Sequence, residues 1–246
     1  MASLNPPERA ASAAKPRFEP HRFPDRSELI AQLARRLAQA LESRAAGAAS
    51  AVMLSGGSTP IPAYQALAAR GVVPAPGLAL LFSDDRYVPS TSTGSNYHQS
   101  LPLIEHLRLP SERVLRVRTE LALADAAADY DRSVSKLASE GVSFTLGLLG
   151  LGADGHTASL FNATDVTRAR GHSAIAVHRP DGRDAVTVTP DVLERFQVLA
   201  FVVAGEDKRT ALAALLAGDP GLPAWQAVSS RESVEIWTEP QALPSA

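Results

Sequence analysis

Cysteine is absent from the 246 residues of the chain. Its absence excludes disulfides, thiol nucleophiles, thiolate metal sites and thiol redox switching. The chain also lacks an excess of one charge sign, because 24 basic residues stand against 26 acidic ones and the formal net charge is -2. This balance gives no field that favours nucleic acid or an anionic membrane as a partner, so a bound anion must be held by local groups.

Long hydrophobic runs are missing as well. No apolar run in the sequence reaches the roughly 18 residues that a membrane helix needs. Residues 1–24 carry proline, arginine and glutamate where a signal peptide would carry a continuous apolar stretch. We therefore expect a cytoplasmic protein with no membrane partner. The hydrophobic share of 45% and the charged share of 20% are those of a globular protein.

The remaining patterns predict one α/β domain. Residues 1–24 contain five prolines and no apolar period, which predicts a flexible N-terminal arm, and residues 25–246 are expected to form the α/β domain. Short apolar runs alternate with segments of helical period, as in a parallel sheet with crossover helices. Strands are predicted at residues 51–54, 78–82, 144–149 and 198–204, with further candidates at 174–178, 185–189 and 234–238. Helices are predicted from Ser27 to a stop at Gly47 and at residues 60–69, 95–106, 122–140 and 207–217.

Polar residues follow four of the predicted strands, and open α/β sheets bind ligands beyond the carboxyl ends of their strands. The loop after the first strand consists of Gly56, Gly57, Ser58 and Thr59, with Pro60 behind it. Its glycines let the backbone approach a ligand, and the helix start would direct free amides at a phosphate. A plain tight connection between strand and helix is the alternative. The glycine spacing fits neither the Walker nor the dinucleotide pattern, which disfavours nucleotide binding.

Two further junctions offer charged groups. Asp84, Asp85 and Arg86 follow the second strand, and Asn96 lies shortly after them. Adjacent carboxylates need compensation by a cation, and Arg86 can supply it or offer its guanidinium to an anionic ligand. An exposed loop with a surface ion pair is the alternative. Lys208, one of only three lysines, begins the helix after the fourth strand and is either a solvated charge or a further cation for a phosphate.

The remaining junction is a glycine-rich turn, residues 150–157, that holds Asp154 and His156. A carboxylate beside an imidazole can fix the tautomer of the ring and leave it as a general base near neutral pH. A structural histidine is the alternative. No second histidine or carboxylate stands at the spacing of a zinc site, so a metal is not implied.

Three sequence blocks stand out: LSGGSTP at residues 54–60, DDRYVP at 84–89 with SNY at 95–97, and LGLGADGHTASLF at 149–161. They resemble the signature blocks of the glucosamine-6-phosphate isomerase/6-phosphogluconolactonase family, and within it those of the lactonases. The blocks follow the order of the family, and the third is the specific one. The resemblance covers roughly residues 23–237.

The resemblance implies a Rossmann-like three-layer α/β/α fold with a mostly parallel sheet and no cofactor. It also implies hydrolysis of 6-phospho-D-glucono-1,5-lactone in the oxidative pentose phosphate pathway, with a small-molecule lactone as partner. His156 would then be the general base that activates water, and Asp154 would orient it. The residues that would hold the phosphate and the rest of the substrate are Gly56, Gly57, Ser58, Thr59, Asp85, Arg86, Asn96 and Lys208. For the oligomeric state we expect a monomer or a weak dimer.

Some positions depart from the family pattern. The family commonly has Asp-Glu-Arg where this chain has Asp84, Asp85 and Arg86. It often has Phe-Pro where this chain has Phe161 and Asn162. An arginine that frequently precedes the Thr-x-Thr strand is replaced by Ala185, while Arg183 lies two residues earlier. One contact to the anion is therefore left without an assigned residue.

Two other functions remain open. An aminosugar-phosphate isomerase and deaminase needs a further carboxylate, and in that branch a glutamate follows the histidine by five residues, where this chain has Phe161. A non-catalytic sugar-phosphate sensor of the kind found in transcription regulators needs a DNA-reading module. The N-terminal arm is too short for a helix-turn-helix.

Overall fold

The computed structural model describes residues 15–43 and 49–244. These residues form a six-stranded parallel sheet with helices on both faces and a smaller antiparallel sheet of three strands. The strands are β1 Arg17–Arg22, β2 Ser50–Leu54, β3 Ala79–Phe82, β4 Asp84–Arg86, β5 Ser143–Leu149, β6 Ala174–His178, β7 Asp184–Val188, β8 Val198–Val203 and β9 Ser233–Thr238. The helices are α1 Arg26–Glu42, α2 Pro60–Arg70, α3 Asn96–Gln99, α4 Leu101–Leu107, α5 Leu123–Ser139, α6 Ala163–Arg168, α7 Pro190–Leu193, α8 Arg209–Ala217 and α9 Pro223–Val228. Among these residues, no helix combines the length and the apolar character that a membrane span requires.

The two sheets differ in direction. The large sheet has the order β1-β9-β8-β5-β2-β3, and its neighbouring strands are all parallel. The small sheet has the order β4-β7-β6 and is antiparallel. The strands predicted at 174–178 and 185–189 therefore belong to the small sheet. The chain passes from one sheet to the other at Ser83, whose carbonyl accepts a hydrogen bond of 2.9 Å from the Val188 amide.

Both faces of the large sheet are buried, which accounts for its near-continuous apolar strands. On β2, Ala51 and Met53 pack into the cluster that includes α5, α8 and α9. Val52 and Leu54 alternate with them and pack into the opposite cluster, with α1, α2 and α4. Successive side chains of a strand point to opposite faces, so each strand contributes to both helical layers. The three-layer α/β/α fold with a mostly parallel sheet is confirmed.

The first predicted helix is observed as α1, which buries an apolar stripe that contains Leu29, Leu33, Leu37 and Leu41. It begins at Arg26, one residue before the predicted start, because the Asp25 carboxylate caps it by accepting a hydrogen bond of 2.9 Å from the Glu28 amide. The predicted stop at Gly47 lies outside the described residues.

The boundary of the N-terminal arm needs correction. Arg17–Arg22, which we expected within the flexible arm of residues 1–24, form the edge strand β1 and pair in parallel with β9. An edge strand is paired on one side only and keeps most of its side chains exposed, so it shows no apolar period. Pro20, which has no N–H to donate, is tolerated in such a strand. Residues 1–14 lie outside the described part of the chain.

The helix predicted at 95–106 is two helices. It is divided at Ser100 into α3 and α4, because Pro102, which lacks an N–H, fits the first turn of a new helix and not the interior of a longer one. The helix predicted at 207–217 likewise begins as a 3₁₀ turn over Glu206–Lys208 before α8. The short elements β4, α6, α7 and α9 have no counterpart among the predicted strands and helices.

Two buried tyrosines fix the strand ends. The Tyr64 hydroxyl donates to the Ser55 carbonyl at 2.8 Å and accepts from the Ser55 amide at 3.1 Å, just beyond β2. The Tyr130 hydroxyl does the same for Phe82 at the end of β3, with distances of 2.6 and 2.8 Å. Burial raises the pKa of both phenols, so they stay neutral and can donate. The loops that follow these strands therefore start from fixed points.

Replacement of Tyr130 by phenylalanine should destabilise the protein by about 2–4 kcal/mol, because it leaves both the amide and the carbonyl of Phe82 buried without a partner. Urea unfolding measures the loss. Tyr87→Phe is the matched control, because the Tyr87 hydroxyl bonds the Leu121 carbonyl where water can replace it; it should lose less than about 1 kcal/mol. Equal losses in the two variants would refute the anchoring role of Tyr130.

Candidate active site

A cavity of about 340 Å³ lies at the carboxyl ends of the parallel strands. Loops that follow β2, β5 and β8 form it together with β4 and the turn between β6 and β7. Its polar lining includes Ser55, Gly56, Gly57, Ser58, Thr59, Asp84, Arg86, Asn96, His156, Arg179 and Lys208. The structure thus brings residues from all four predicted junctions into one cavity.

The glycine-rich loop at residues 56–59 forms one wall. A side chain at Gly56 would place its Cβ only 1.9 Å from Asn96 Oδ1, so only glycine fits against this amide. Arg26 holds the loop from outside by donating to the carbonyl and the hydroxyl of Ser58 at 3.0 and 2.9 Å. Thr59, at the N-cap of α2, makes no capping bond with its side chain. The first turn of α2 offers an anion no free amide, because Pro60 and Pro62 have no N–H and the Ile61 amide donates to the Gly57 carbonyl at 3.4 Å. Amides that bind an anion here must belong to the loop itself.

Strand β4 supplies the next wall. Asp84 and Arg86 face the cavity, and the Arg86 guanidinium donates through Nη1 to Asn96 Oδ1 at 2.6 Å and to the Gly94 carbonyl at 3.1 Å. Asn96 donates in turn to the Asp84 carbonyl at 2.8 Å. These contacts fix one edge of the guanidinium and leave its other nitrogens available to a ligand.

Asp85 does not take the place expected for it. Side chains alternate along a strand, so Asp85 points away from the cavity when Asp84 and Arg86 face it. Its carboxylate accepts hydrogen bonds from the Ser95 hydroxyl at 2.8 Å and from the backbone N–H of Asn96 at 2.6 Å. Burial raises the pKa of Asp85, and these bonds oppose the rise. Asp85 therefore holds the segment that carries Asn96 and is corrected from a substrate contact to a structural residue.

His156 and Asp154 form a close pair. His156 Nδ1 lies 2.5 Å from Asp154 Oδ1, and the same oxygen accepts from the His156 amide at 3.3 Å. Partial burial raises the pKa of Asp154, but the hydrogen bond and the charge of His156 outweigh it, so the net pKa lies below its ordinary value. An ionised Asp154 accepts the Nδ1 proton, which leaves Nε2 with a lone pair. The ring then has the tautomer that a general base needs.

Two neighbours enforce this geometry. A Cβ at Gly152 would lie 2.1 Å from His156 Nδ1 and 2.3 Å from Asp154 Oδ1, so the pair closes only over a glycine. On the other side the Phe161 ring packs against the imidazole, with centroids 4.5 Å apart. The imidazole is thereby held between a backbone and an aromatic ring.

Two more cations line the cavity, and one of them, Lys208, was predicted. Lys208 lines the cavity, with its ammonium 3.1 Å from the exposed Asp207 carboxylate. Arg179, which we did not predict, also lines the cavity and packs its guanidinium 5.1 Å from the centre of the Phe161 ring. Arg183, the candidate noted beside Ala185, is exposed and pairs with Asp181 at 2.6 Å.

A sequence signal for Arg179 does exist. Pro180, Asp181 and Gly182 follow it, a turn composition that predicts a hairpin. In the structure this hairpin joins β6 to β7, and its turn brings Arg179 opposite Arg183 through a backbone hydrogen bond of 2.8 Å. An arginine at position 179 can therefore reach the cavity edge from the hairpin, as an arginine on β7 would from the strand. No group of three or more His, Asp or Glu side chains that could hold a metal occurs among residues 15–43 and 49–244.

The fold and the site define a class of α/β protein whose cavity combines a histidine–aspartate pair with loop amides and cations. Residues 24–237 match the model of the glucosamine-6-phosphate isomerases/6-phosphogluconolactonase family. The chain belongs to this family.

Curated relatives and solved structures agree with this membership. A 6-phosphogluconolactonase of Synechocystis is 34% identical over 74% of this chain and 76% of its own length. The 6-phosphogluconolactonase of Thermotoga maritima is 32% identical over 71% of this chain and 77% of its own length. A crystal structure of the 6-phosphogluconolactonase of Thermotoga maritima covers 91% of this chain and 100% of that chain with a TM-score of 0.76. A monomeric glucosamine-6-phosphate deaminase has the same TM-score at 16% identity, so the fold alone does not separate the two branches.

Replacement of Gly152 by alanine should break the bond between His156 and Asp154, because the new Cβ would overlap both side chains. Nitrogen-15 NMR of the imidazole measures this directly. The wild-type spectrum should show Nδ1 protonated and bonded, and the variant should lose that signal. Gly221→Ala is the control, since its Cβ first meets the Asp219 carboxylate at 3.2 Å. An unchanged His156 signal in the Gly152 variant would disprove the constraint.

Proposed function

We propose that the protein hydrolyses 6-phospho-D-glucono-1,5-lactone to 6-phosphogluconate with His156 as the general base. The observation that carries the proposal is the pairing of His156 with Asp154 in the same cavity as the loop at 56–59, Arg86 and Lys208. The names of the curated relatives, which are 6-phosphogluconolactonases at 30% identity or more, support the same substrate. This activity places the protein in the oxidative pentose phosphate pathway, and we assign it to the cytoplasm as a monomer or a weak dimer.

The chemistry starts at the imidazole. Asp154 holds the Nδ1 proton, and Nε2 removes a proton from a water molecule as its oxygen attacks the lactone carbonyl. The new carbon–oxygen bond gives a tetrahedral intermediate with a negative oxygen. When the bond between the carbonyl carbon and the ring oxygen breaks, protonated His156 returns its proton to the ring oxygen, which becomes a hydroxyl. The released acid then ionises to 6-phosphogluconate.

The phosphate supplies the positioning. Amides of the loop at residues 57–59, which lines the cavity, can bind its oxygens, and Arg86 and Lys208 can balance its charge. A substrate held at one end by several such contacts presents its carbonyl to the base in a restricted geometry, which accelerates an otherwise slow attack.

The environment of His156 disfavours the isomerase and deaminase alternative. That reaction needs a carboxylate five residues beyond the histidine to move a proton between adjacent carbons. Here the position is Phe161, whose ring packs 4.5 Å from the imidazole centre. The Phe161 ring cannot accept the proton that the isomerisation has to move. Lactone hydrolysis needs no proton acceptor at this position.

Replacement of His156 by alanine should lower kcat/KM for the lactone by ~10²- to 10⁴-fold, because the general base is lost. Turnover is measured against spontaneous hydrolysis, and the unfolding midpoint confirms that the variant folds. His178→Ala is the matched control, because His178 also pairs with an aspartate, Asp184 at 3.0 Å, on the exposed surface.

The control should keep wild-type turnover, and neither wild type nor variant should release ammonia from glucosamine 6-phosphate. Near-normal turnover in a folded His156→Ala variant would overturn the assignment of the base. Rapid ammonia release by the wild type would favour the deaminase instead.

A further inference from the structure

Asp84 is a buried carboxylate that the proposed chemistry does not use. It is 6% exposed and lines the cavity. Its Oδ2 accepts a hydrogen bond of 2.7 Å from the Ser159 hydroxyl, and its Oδ1 accepts bonds from the Ser83 hydroxyl at 2.9 Å and from Asn96 Nδ2 at 3.2 Å. The carboxylate is thus a point on which neutral side chains from three segments converge.

Two of these neutral side chains each hold an arginine. Asn96 Oδ1 accepts from Arg86 Nη1 at 2.6 Å, and the Ser159 hydroxyl accepts from Arg179 Nη1 at 3.2 Å. Asn96 and Ser159 therefore accept from a guanidinium and donate to the same carboxylate. Among the described residues, Asp84 has no direct ion pair with either arginine within 4.0 Å.

The neutral side chains between Asp84 and the arginines affect how much of each guanidinium remains available to a ligand. A direct bidentate pair would occupy the fork of a guanidinium and offset its charge. A bond to a neutral amide or hydroxyl fixes one nitrogen of the guanidinium without offsetting its charge, and in Arg86 it leaves Nε and Nη2 for an anionic ligand. Arg179 is held further by the Phe161 ring and by Asp181, whose carboxylate accepts from both Nε and Nη2 at 3.3 Å. Since Nη1 and Nη2 each carry two N–H groups and use one, each keeps one N–H for a ligand.

The backbone next to Ser159 supports a constrained arrangement. Ala158 has a φ of 50°, in the left-handed region that residues with a side chain rarely adopt. Ser159 follows it, is completely buried, and donates its amide to Thr187 Oγ1 at 3.1 Å. The hydroxyl of Ser159 is therefore fixed between Asp84 and Arg179.

The geometry points to Asp84 as a positioning residue that aims Arg86 and Arg179 at one anionic ligand, through Asn96 and Ser159. Arg179 thereby supplies the anion contact that Ala185 leaves without a residue. The inference rests on the proposed function for the identity of the ligand, a sugar phosphate. It assigns Arg179 to ligand binding and Asp84 to the orientation of both guanidinium groups.

The direction in which Kd changes when Asp84 loses its charge distinguishes a positioning role from a purely electrostatic one. Asp84 is a negative group beside a cavity that binds an anion, so removal of its charge alone should tighten anion binding. If Asp84 instead orients the two arginines, Asp84→Asn should weaken binding, because the asparagine amide cannot accept hydrogen bonds from both Asn96 and Ser159 as the carboxylate does. The two roles predict opposite changes in Kd.

The test titrates 6-phosphogluconate into the full-length protein by calorimetry. Asp84→Asn should raise Kd about tenfold, the order expected when a hydrogen bond to a charged group is lost. Ser159→Ala should raise Kd several-fold in the wild-type background and have almost no effect in an Arg179→Ala background, because its role passes through that arginine. Ser229→Ala is the control and should leave Kd unchanged, because the Ser229 hydroxyl donates to the Gln226 carbonyl and Ser229 is not part of the cavity lining.

Tighter or unchanged binding by folded Asp84→Asn would overturn the inference, as would effects of Ser159→Ala that add fully to those of Arg179→Ala. If Asp84→Asn does not fold, the Ser159 and Arg179 variants decide the question. Turnover of the lactone by the wild type is measured separately. Absence of turnover with the expected changes in Kd would refute the proposed function and leave the inference standing.

Discussion

The site depends on the convergence of parallel strand ends. Loops that are far apart in the chain begin at the carboxyl ends of β2, β5 and β8, which are neighbours in one sheet. Because the strands are parallel, these ends lie along one edge, and the side chains that follow them meet at one cavity. The cations of the cavity and the imidazole are thereby held at a separation that rigid strands determine.

Buried polar contacts turn this coarse placement into a defined geometry. Tyr64 and Tyr130 satisfy the backbone just where two of the strands end. Gly56 and Gly152 let side chains approach the backbone more closely than any Cβ would allow. Asp84 is linked through neutral groups to both arginines of the cavity. A group buried without a partner costs free energy, so each of these contacts resists displacement.

Much of this could be predicted from the sequence, because the informative patterns are local. Apolar runs identified the buried strands, and spacing alone paired Asp154 with His156. The choice between Asp84 and Asp85 could not be made in this way, since it depends on which face of the short strand β4 meets the cavity. Arg179 was missed because its place depends on a hairpin that returns it to the cavity edge. The edge strand β1 has no apolar pattern, because it is paired on one side only.

We propose that anion binding at one end of the cavity positions the lactone carbonyl for the base at the other end. The decisive measurement compares kcat/KM for the lactone that carries the 6-phosphate with kcat/KM for glucono-1,5-lactone, which lacks it, after each is corrected for spontaneous hydrolysis. We expect a ratio on the order of 10³ or more, since the contacts to the phosphate supply the positioning. Equal values for the two lactones would show that the phosphate does not position the substrate.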